Sequence, residues 1–405
     1  MKNRFERHPV LSSFAGAVML LVAFLAVDVG AYYTVTLFTG ARERISEWLE
    51  PDRIRPASAQ ASNLVFHHGL KENWTSHNES GPVAYDEITN SLGFRDGRVR
   101  TVPLMPSGRR VILIGDSFTE GVGLSFERTF AGMLFQQLAA RNTEVLNAAA
   151  SSYSPIIYLR KLKYWIGEQG LDAGEVVVFL DLSDVQDETF YEWGPEGEVK
   201  SRISRSWVRY YLSMHGEPYW LNAALQRTYI SRMLFGIIQR ASLPRDMPSR
   251  LALNSPRALW TVDPLYYDGY ARDGLPLARQ HLDELKAFLD SRSIAMKLVV
   301  YPWPDQVYRH DLPSKQETIW KEWADAHGVP FLDLFPDFIG KEPARVSLAK
   351  NFIPDDIHFS EVGHRLVADR VMEAFYPVTP SAAPRADPRA SRAAPAAGTR
   401  AAPRP

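Results

Sequence analysis

No cysteine occurs among the 405 residues. That excludes disulfides, thiolate-ligated zinc and Cys-ligated iron–sulfur clusters, and it leaves the redox compartment unread. There is no surplus of either charge, since 46 basic residues stand against 47 acidic ones for a formal net charge of −1. Without a basic excess the chain has no electrostatic footprint for a phosphate backbone, so a nucleic-acid partner is not expected. No internal repeat is evident. What remains is a chain 45% hydrophobic, long enough for one large or two ordinary domains with a sizeable buried core.

Uncharged apolar sequence is concentrated near the start. After the basic segment Met1–Arg7, the run from Val10 to Val27 is interrupted only by Ser12 and Ser13. Its length matches a membrane span, with Asp28 near an interface or against a partner helix. The run is longer than the h-region of a signal peptide, and no clear small-x-small cleavage site follows closely, so an uncleaved anchor is expected. Arginines follow the span at 42, 44, 53 and 55, whereas Lys2, Arg4 and Arg7 precede it. Charge on the two flanks therefore decides little, and the preferred orientation is N-terminus inside, with the bulk of the chain periplasmic or at the cell surface. Residues 377–405 are built almost wholly from Ala, Pro, Arg, Ser and Thr, which predicts a disordered tail. The expected organisation is an anchor over 1–40, a lead-in over 41–84, a folded domain over 85–376 and the tail.

Inside the folded domain, hydrophobic periodicity alternates between strand and helix. Strands are predicted at Val111–Ile114, Val145–Leu146, Glu175–Leu180, Met296–Tyr301 and Val329–Leu334. Helices are predicted at Phe126–Arg141, Tyr158–Gln169, Gly274–Ser291, Gln316–His327 and Glu361–Phe375. This alternation implies a parallel sheet covered on both faces, a three-layer α/β/α sandwich. The interval 187–264 breaks the rhythm with Tyr191, Trp193, Trp207, Tyr210, Tyr211, Tyr219, Trp220 and Tyr229. It lies after a central strand, where such sheets keep their sites, and reads as a lid, a substrate platform or a subdomain that merely packs.

The segment VILIGDSFTEG, residues 111–121, ends an apolar strand in Gly115-Asp116-Ser117. A serine there is exposed at the sheet edge beside helix N–H groups that favour a developing anion. It can be a nucleophile or a helix cap. Near the other end, FIPDDIHFSEVGH at 352–364 precedes the last helix. Asp355 and His358 are three apart, a spacing that can set a carboxylate against one imidazole nitrogen while the other faces a serine. Asp355, Asp356, His358 and His364 can equally be polar loop and cap residues, or part of a metal site.

The pair GDSFTEG and Asp-x-x-His, in that order, resembles the SGNH (GDSL-type) hydrolase superfamily, and TNSLGFRD at 89–96 resembles its membrane-anchored members. The resemblance implies a flavodoxin-like fold with Ser117 as nucleophile, His358 as general base and Asp355 as its orienter. The family's glycine and asparagine oxyanion donors correspond here to Ser152 and Ser183. Ser152 keeps a backbone N–H, whereas the Ser183 hydroxyl is shorter than an amide and puts that donor in doubt. Asp184 and Asp187 can shape the site or hold the insertion.

Three weaker features complete the reading. Trp303 in YPWPDQ can stack on a sugar or simply belong to a Pro-bracketed turn. His67-His68 reads as a surface pair or a ligand, and the triplets at 73–75 and 78–80 have the glycosylation pattern. The expected activity is ester hydrolysis through an acyl-enzyme on an acylated carbohydrate or lipid-linked envelope substrate, with no cofactor. The alternatives are O-acetyl transfer to a cell-surface polysaccharide, within an envelope polysaccharide machinery, and a catalytically silent binding or scaffold protein on the same fold.

Overall fold

In the computed structural model, the described residues are 14–31, 33–34, 59–80, 83–202, 230–231, 253, 255 and 257–377. The expected disordered tail beyond 377, residues 41–58 of the 41–84 lead-in, and Trp207, Tyr210, Tyr211, Tyr219, Trp220 and Tyr229 lie outside them. The first element is helix α1, Phe14–Ala31, with a mean hydropathy of 2.2. By length and composition it can cross a membrane, and a signal sequence passes the same test.

Five parallel strands form the central sheet: β5 (Arg109–Ile114), β6 (Thr143–Asn147), β7 (Glu175–Leu180), β10 (Ala295–Val300) and β11 (Phe331–Asp333). Their spatial order is β11-β10-β7-β5-β6. In the centre, Val177 of β7 pairs with Leu113 of β5 on one side and Lys297 of β10 on the other. Every residue of β7 is buried, because a parallel sheet covered on both faces needs an apolar run rather than an alternating pattern.

The helices follow from the strand order. The chain leaves β5 for the edge strand β6 and then reverses to β7, so right-handed crossovers place successive helices on opposite faces. On one face α3 (Phe130–Ala139) packs against α8 (Glu361–Phe375); on the other, α4 (Pro155–Leu162) packs against α5 (Arg272–Asp290). Helix α6 (Lys315–His327) runs between β10 and β11 behind a Ser314–Glu317 capping box. The reversal makes the crevice beyond the C-terminal ends of β5 and β7 the switch point of the sheet. The expected α/β/α sandwich is the observed one.

The stretch read as a lead-in is more structured than a linker. Gln60–Asn63 (β1) pairs antiparallel with His67–Leu70 (β2), and Thr75–Ser80 (β3) with Val83–Ile88 (β4). TNSLGFRD then docks on the domain. The Asn90 side chain accepts the Leu92 amide, Arg95 donates to the carbonyls of Asp86 and Leu124, and the Arg95 amide donates to Asn147. Gly93 has φ +65°, and a side chain there would meet the Leu70 carbonyl at 2.3 Å, so glycine is required. Of the insertion, the hairpin of β8 (Tyr191–Trp193) and β9 (Val199–Ser201) is described, and a bridge from Val199 to Phe66 ties it to the lead-in.

Candidate active site

Ser117 is the first residue of a four-residue helix, α2 (Ser117–Glu120), directly after β5. The helix cap is Asp116, whose carboxylate accepts the Phe118 amide at 3.0 Å. The cap being filled, the half-buried Ser117 hydroxyl is left for other partners. Its Oγ lies 2.9 Å from Nε2 of His358 and 3.3 Å from Oδ2 of Asp116. A hydroxyl carries one proton, and the shorter contact goes to the imidazole.

His358 is held by its own loop. Helix α7 (Ala344–Asn351) leads into it, Phe352 and Phe359 form a bridge across it, and the Ile353 amide donates to the His358 carbonyl at 2.9 Å. The carboxylate on the imidazole is Asp356, with Oδ1 at 2.6 Å from Nδ1. Asp355, the expected orienter, is exposed and has φ +61°. The physical reason is an Asx turn: Asp356 Oδ1 also accepts the His358 amide at 3.0 Å, which sets carboxylate and imidazole on the same side. Asp355 fills the left-handed position of the preceding turn, which the Asp356 amide closes on the Ile353 carbonyl at 3.1 Å, a conformation aspartate tolerates. With Nδ1 donating to Asp356, Nε2 is the unprotonated nitrogen facing Ser117, a tautomer assigned from this network.

Phe118 walls the imidazole. Its ring lies 5.0 Å from that of His358, 4.8 Å from Phe359 and 5.2 Å from Tyr301. His364 takes no part in the His358 network. It is buried and accepts the Phe130 amide at the start of α3 at 3.1 Å, and burial pushes it down to about 3, so it is neutral. A metal site joining both histidines is therefore not what this loop builds.

Beneath Ser117 lie three buried carboxylates, Asp116, Asp181 and Asp184, whose oxygens are within 4.8 Å of one another. Burial, and then the Asp181 charge, holds the Asp116 carboxyl well above the usual range. Burial first, and then the Asp116 charge, does the same to Asp184. Protein donors surround the trio. Tyr158 donates to Asp184 at 2.7 Å, Trp303 Nε1 to Asp181 at 2.7 Å and Ser183 Oγ to Asp181 at 2.6 Å.

Two expectations fall here. Ser183 is fully buried, and both its hydroxyl and its amide donate to Asp181 Oδ1, so it has no proton to offer an oxyanion. Trp303 is 1% exposed with its indole N–H spent on Asp181, so no sugar can stack on it. Asp187 instead holds the insertion, through an ion pair with Arg257 at 2.5 Å.

The Ser152 loop is clamped against α2. Glu120 accepts from the Ser151 amide at 2.6 Å and its hydroxyl at 2.8 Å, His68 Nε2 bonds the Ser151 carbonyl, and Tyr191 donates to the Ser152 carbonyl. Ser152 sits at φ +63°, a left-handed conformation that glycine adopts without strain. Among the described residues its amide donates to no acceptor. The sequence reading missed this clamp, although Glu120 and His68 were in view. Burial raises Glu120 to about 7 and lowers His68 to about 4.

No family model matches the chain, and no curated protein matches it. Among solved structures it is similar to the lipase/acylhydrolase from Enterococcus faecalis, at 16% identity over 65% of this chain and 94% of that one, with a TM-score of 0.35. It is also similar to the psychrotrophic esterase EstA from Pseudoalteromonas sp., at 12% over 66% and 96%, TM-score 0.35. A third is the acetyl xylan esterase AlAXEase, at 15% over 66% and 99%, TM-score 0.30.

Proposed function

We propose that this chain is a membrane-anchored, SGNH-type serine hydrolase of ester bonds. The observation that carries the reading is the hydrogen-bonded series from Ser117 Oγ through the His358 imidazole to Asp356, at 2.9 and 2.6 Å. In it, Ser117 Oγ attacks the acyl carbonyl while its proton passes to His358 Nε2, and Asp356 stabilises the imidazolium. The tetrahedral oxyanion is received by the amides of Ser117 and Ser152. His358 then returns the proton to the departing alkoxide, leaving an acyl-enzyme, and water, deprotonated by the same nitrogen, releases the acid. The substrate is an acylated carbohydrate of the cell envelope, reached by a catalytic domain outside the cytoplasm.

Withdrawal of Ser183 leaves one oxyanion donor fewer, a deficit of about 2.7–4 kcal/mol of transition-state stabilisation. That observation favours a second reading, a catalytically silent binding protein. The test is release of acetate from p-nitrophenyl acetate and from acetylated envelope glycan, with and without a deacetylated glycan acceptor. Acetate release that vanishes in Ser117→Ala supports the hydrolase. Acetyl gain by the acceptor converts it to a transferase, and no turnover with either substrate leaves the silent protein.

A further inference from the structure

At the end of the sheet opposite Ser117, the segment RVRTVPLMPSGRR, residues 98–110, leads into β5. It exposes three apolar side chains, Val99 at 49%, Leu104 at 42% and Met105 at 67%. Its backbone is tied down from within. Arg110, 1% exposed, donates to the Leu104 carbonyl at 2.8 Å, the Pro103 carbonyl at 2.7 Å and the Asp172 carbonyl at 2.9 Å. The Asp172 amide also donates to Leu104, so this tip holds apolar side chains in water while its Pro103 and Leu104 carbonyls are bonded from within.

Cations flank the tip. A cavity of about 270 Å³ beside it is lined by Arg98, Arg100, Arg109 and Phe135. Arg100 pairs with Asp96 and Glu144, and Glu144 also holds Arg110, whereas Arg98 and Arg109 form no ion pair among the described residues. Arg141 is exposed at the same edge, and the exposed acids nearby are Asp172 and Glu127, the latter lining a hollow with Arg98 without pairing to it among the described residues.

We propose that the segment 98–109 docks on the surface of an anionic phospholipid bilayer, with Val99, Leu104 and Met105 entering the interface and Arg98 and Arg109 meeting lipid phosphates. Exposed apolar side chains rimmed by free arginines match that surface in both chemistry and charge. Three apolar side chains bind weakly alone, and a tether through α1 raises their effective concentration at the bilayer. The docking rests on the anchor reading only for that delivery. It also orients the enzyme, because β5 runs from this platform to the nucleophile. Six residues span about 20 Å, so Ser117 faces away from the lipid. The ester it meets then belongs to a polymer in the aqueous layer, not to an acyl chain of the same leaflet.

The test uses the full chain with Met105→Cys, which introduces the only thiol, spin-labelled and reconstituted into phosphatidylcholine vesicles with or without phosphatidylglycerol. Val346→Cys, on α7 beside the His358 loop and 49% exposed, is the reference. With phosphatidylglycerol present, the label at 105 is expected to become accessible to oxygen and shielded from a nickel chelate, while that at 346 stays in water. Arg98→Glu with Arg109→Glu is expected to return the 105 label to water and leave ester hydrolysis in solution within about twofold, as residues remote from Ser117 should. A vesicle-bound chain whose 105 label stays in water overturns the docking and spares both the anchor and the hydrolase. Shielding that ignores the anionic lipid also overturns it. Immobilisation of the label at high protein concentration without lipid assigns the patch to a second copy instead. A chain that fails to float with vesicles removes the anchor reading as well.

Discussion

Asp355 and Asp356 are adjacent carboxylates that the turn sends in opposite directions, one to solvent and one to His358. Asp356→Asn keeps the size but removes the charge that stabilises the imidazolium, and kcat is expected to fall about 10²–10⁴-fold. Asp355→Asn is expected to stay within about twofold, since asparagine also tolerates φ near +60°. Steady-state kinetics of the two variants decides between the neighbours, and equal losses would contradict the assignment. Ser117 and His358, 2.9 Å apart, were singled out in the sequence only as a pair, because an apolar strand ending in Gly-Asp-Ser and a polar Asp-x-x-His loop before a helix are each weak signals alone. Spacing cannot tell which of two consecutive aspartates an Asx turn delivers. Nor can it show that Asp181 takes up the Ser183 hydroxyl, because that depends on a buried acid cluster assembled from two strand ends.

Glu120 gives a second prediction at this scale. Burial, then the Glu87 charge, raises its carboxyl from an ordinary 4.5 to about 7, so the native state holds the proton more tightly than the unfolded chain. That contribution to stability is full below pH 4.5 and is lost as pH rises through about 7, to a total of about 3 kcal/mol. Glu120→Gln keeps an acceptor for Ser151 but has no proton to lose. Denaturant titration of both proteins at pH 5 and pH 8 should show wild type losing stability relative to the variant across that interval. A constant difference would contradict the buried titration.

Among the elements, the junction of β5 and α2 is the most constrained. A Cβ on Gly115 would lie 2.2 Å from Thr119 Oγ1 and 2.8 Å from the Phe179 carbonyl, so the turn that raises Ser117 requires the smallest residue. Gly115→Ala is expected to destabilise the fold by about 1–3 kcal/mol through overpacking and to lower kcat by moving Ser117. Unchanged melting and turnover would contradict the close approach. The buried strands were readable because a run such as VVVFL has few other uses, and α8 begins and ends where its periodicity does. The hairpins β1–β4 were missed because their short strands mix polar and apolar residues without a clear period. Tyr158–Gln169 read as one helix, whereas the α-helical part ends at Leu162 and a π turn continues to Glu168. That change of pitch leaves no mark in an amphipathic pattern.

At the level of the whole molecule, α1 decides where the site works. An uncleaved anchor predicts that protein taken from membranes keeps residues 14–31 and resists alkaline extraction. Intact mass is the check, and a mature chain that begins after Ala31 would identify a signal peptide instead. The site itself is a property of topology. The strand order reverses between β6 and β7, and Ser117 and the acid cluster beneath it stand at the two strand ends flanking the reversal. His358 arrives there from a loop 241 residues away in sequence, its Nε2 2.9 Å from Ser117 Oγ.

Covalent capture of that hydroxyl tests the central claim most directly. The full chain is treated with a fluorophosphonate and the adduct is located by mass spectrometry, with Ser117→Ala, His358→Ala and Asp356→Asn alongside. Labelling on Ser117 that is lost in the first two variants and slowed in the third is the predicted result. A well-folded chain that takes no label, or labels equally without His358, would contradict an activated serine at this junction.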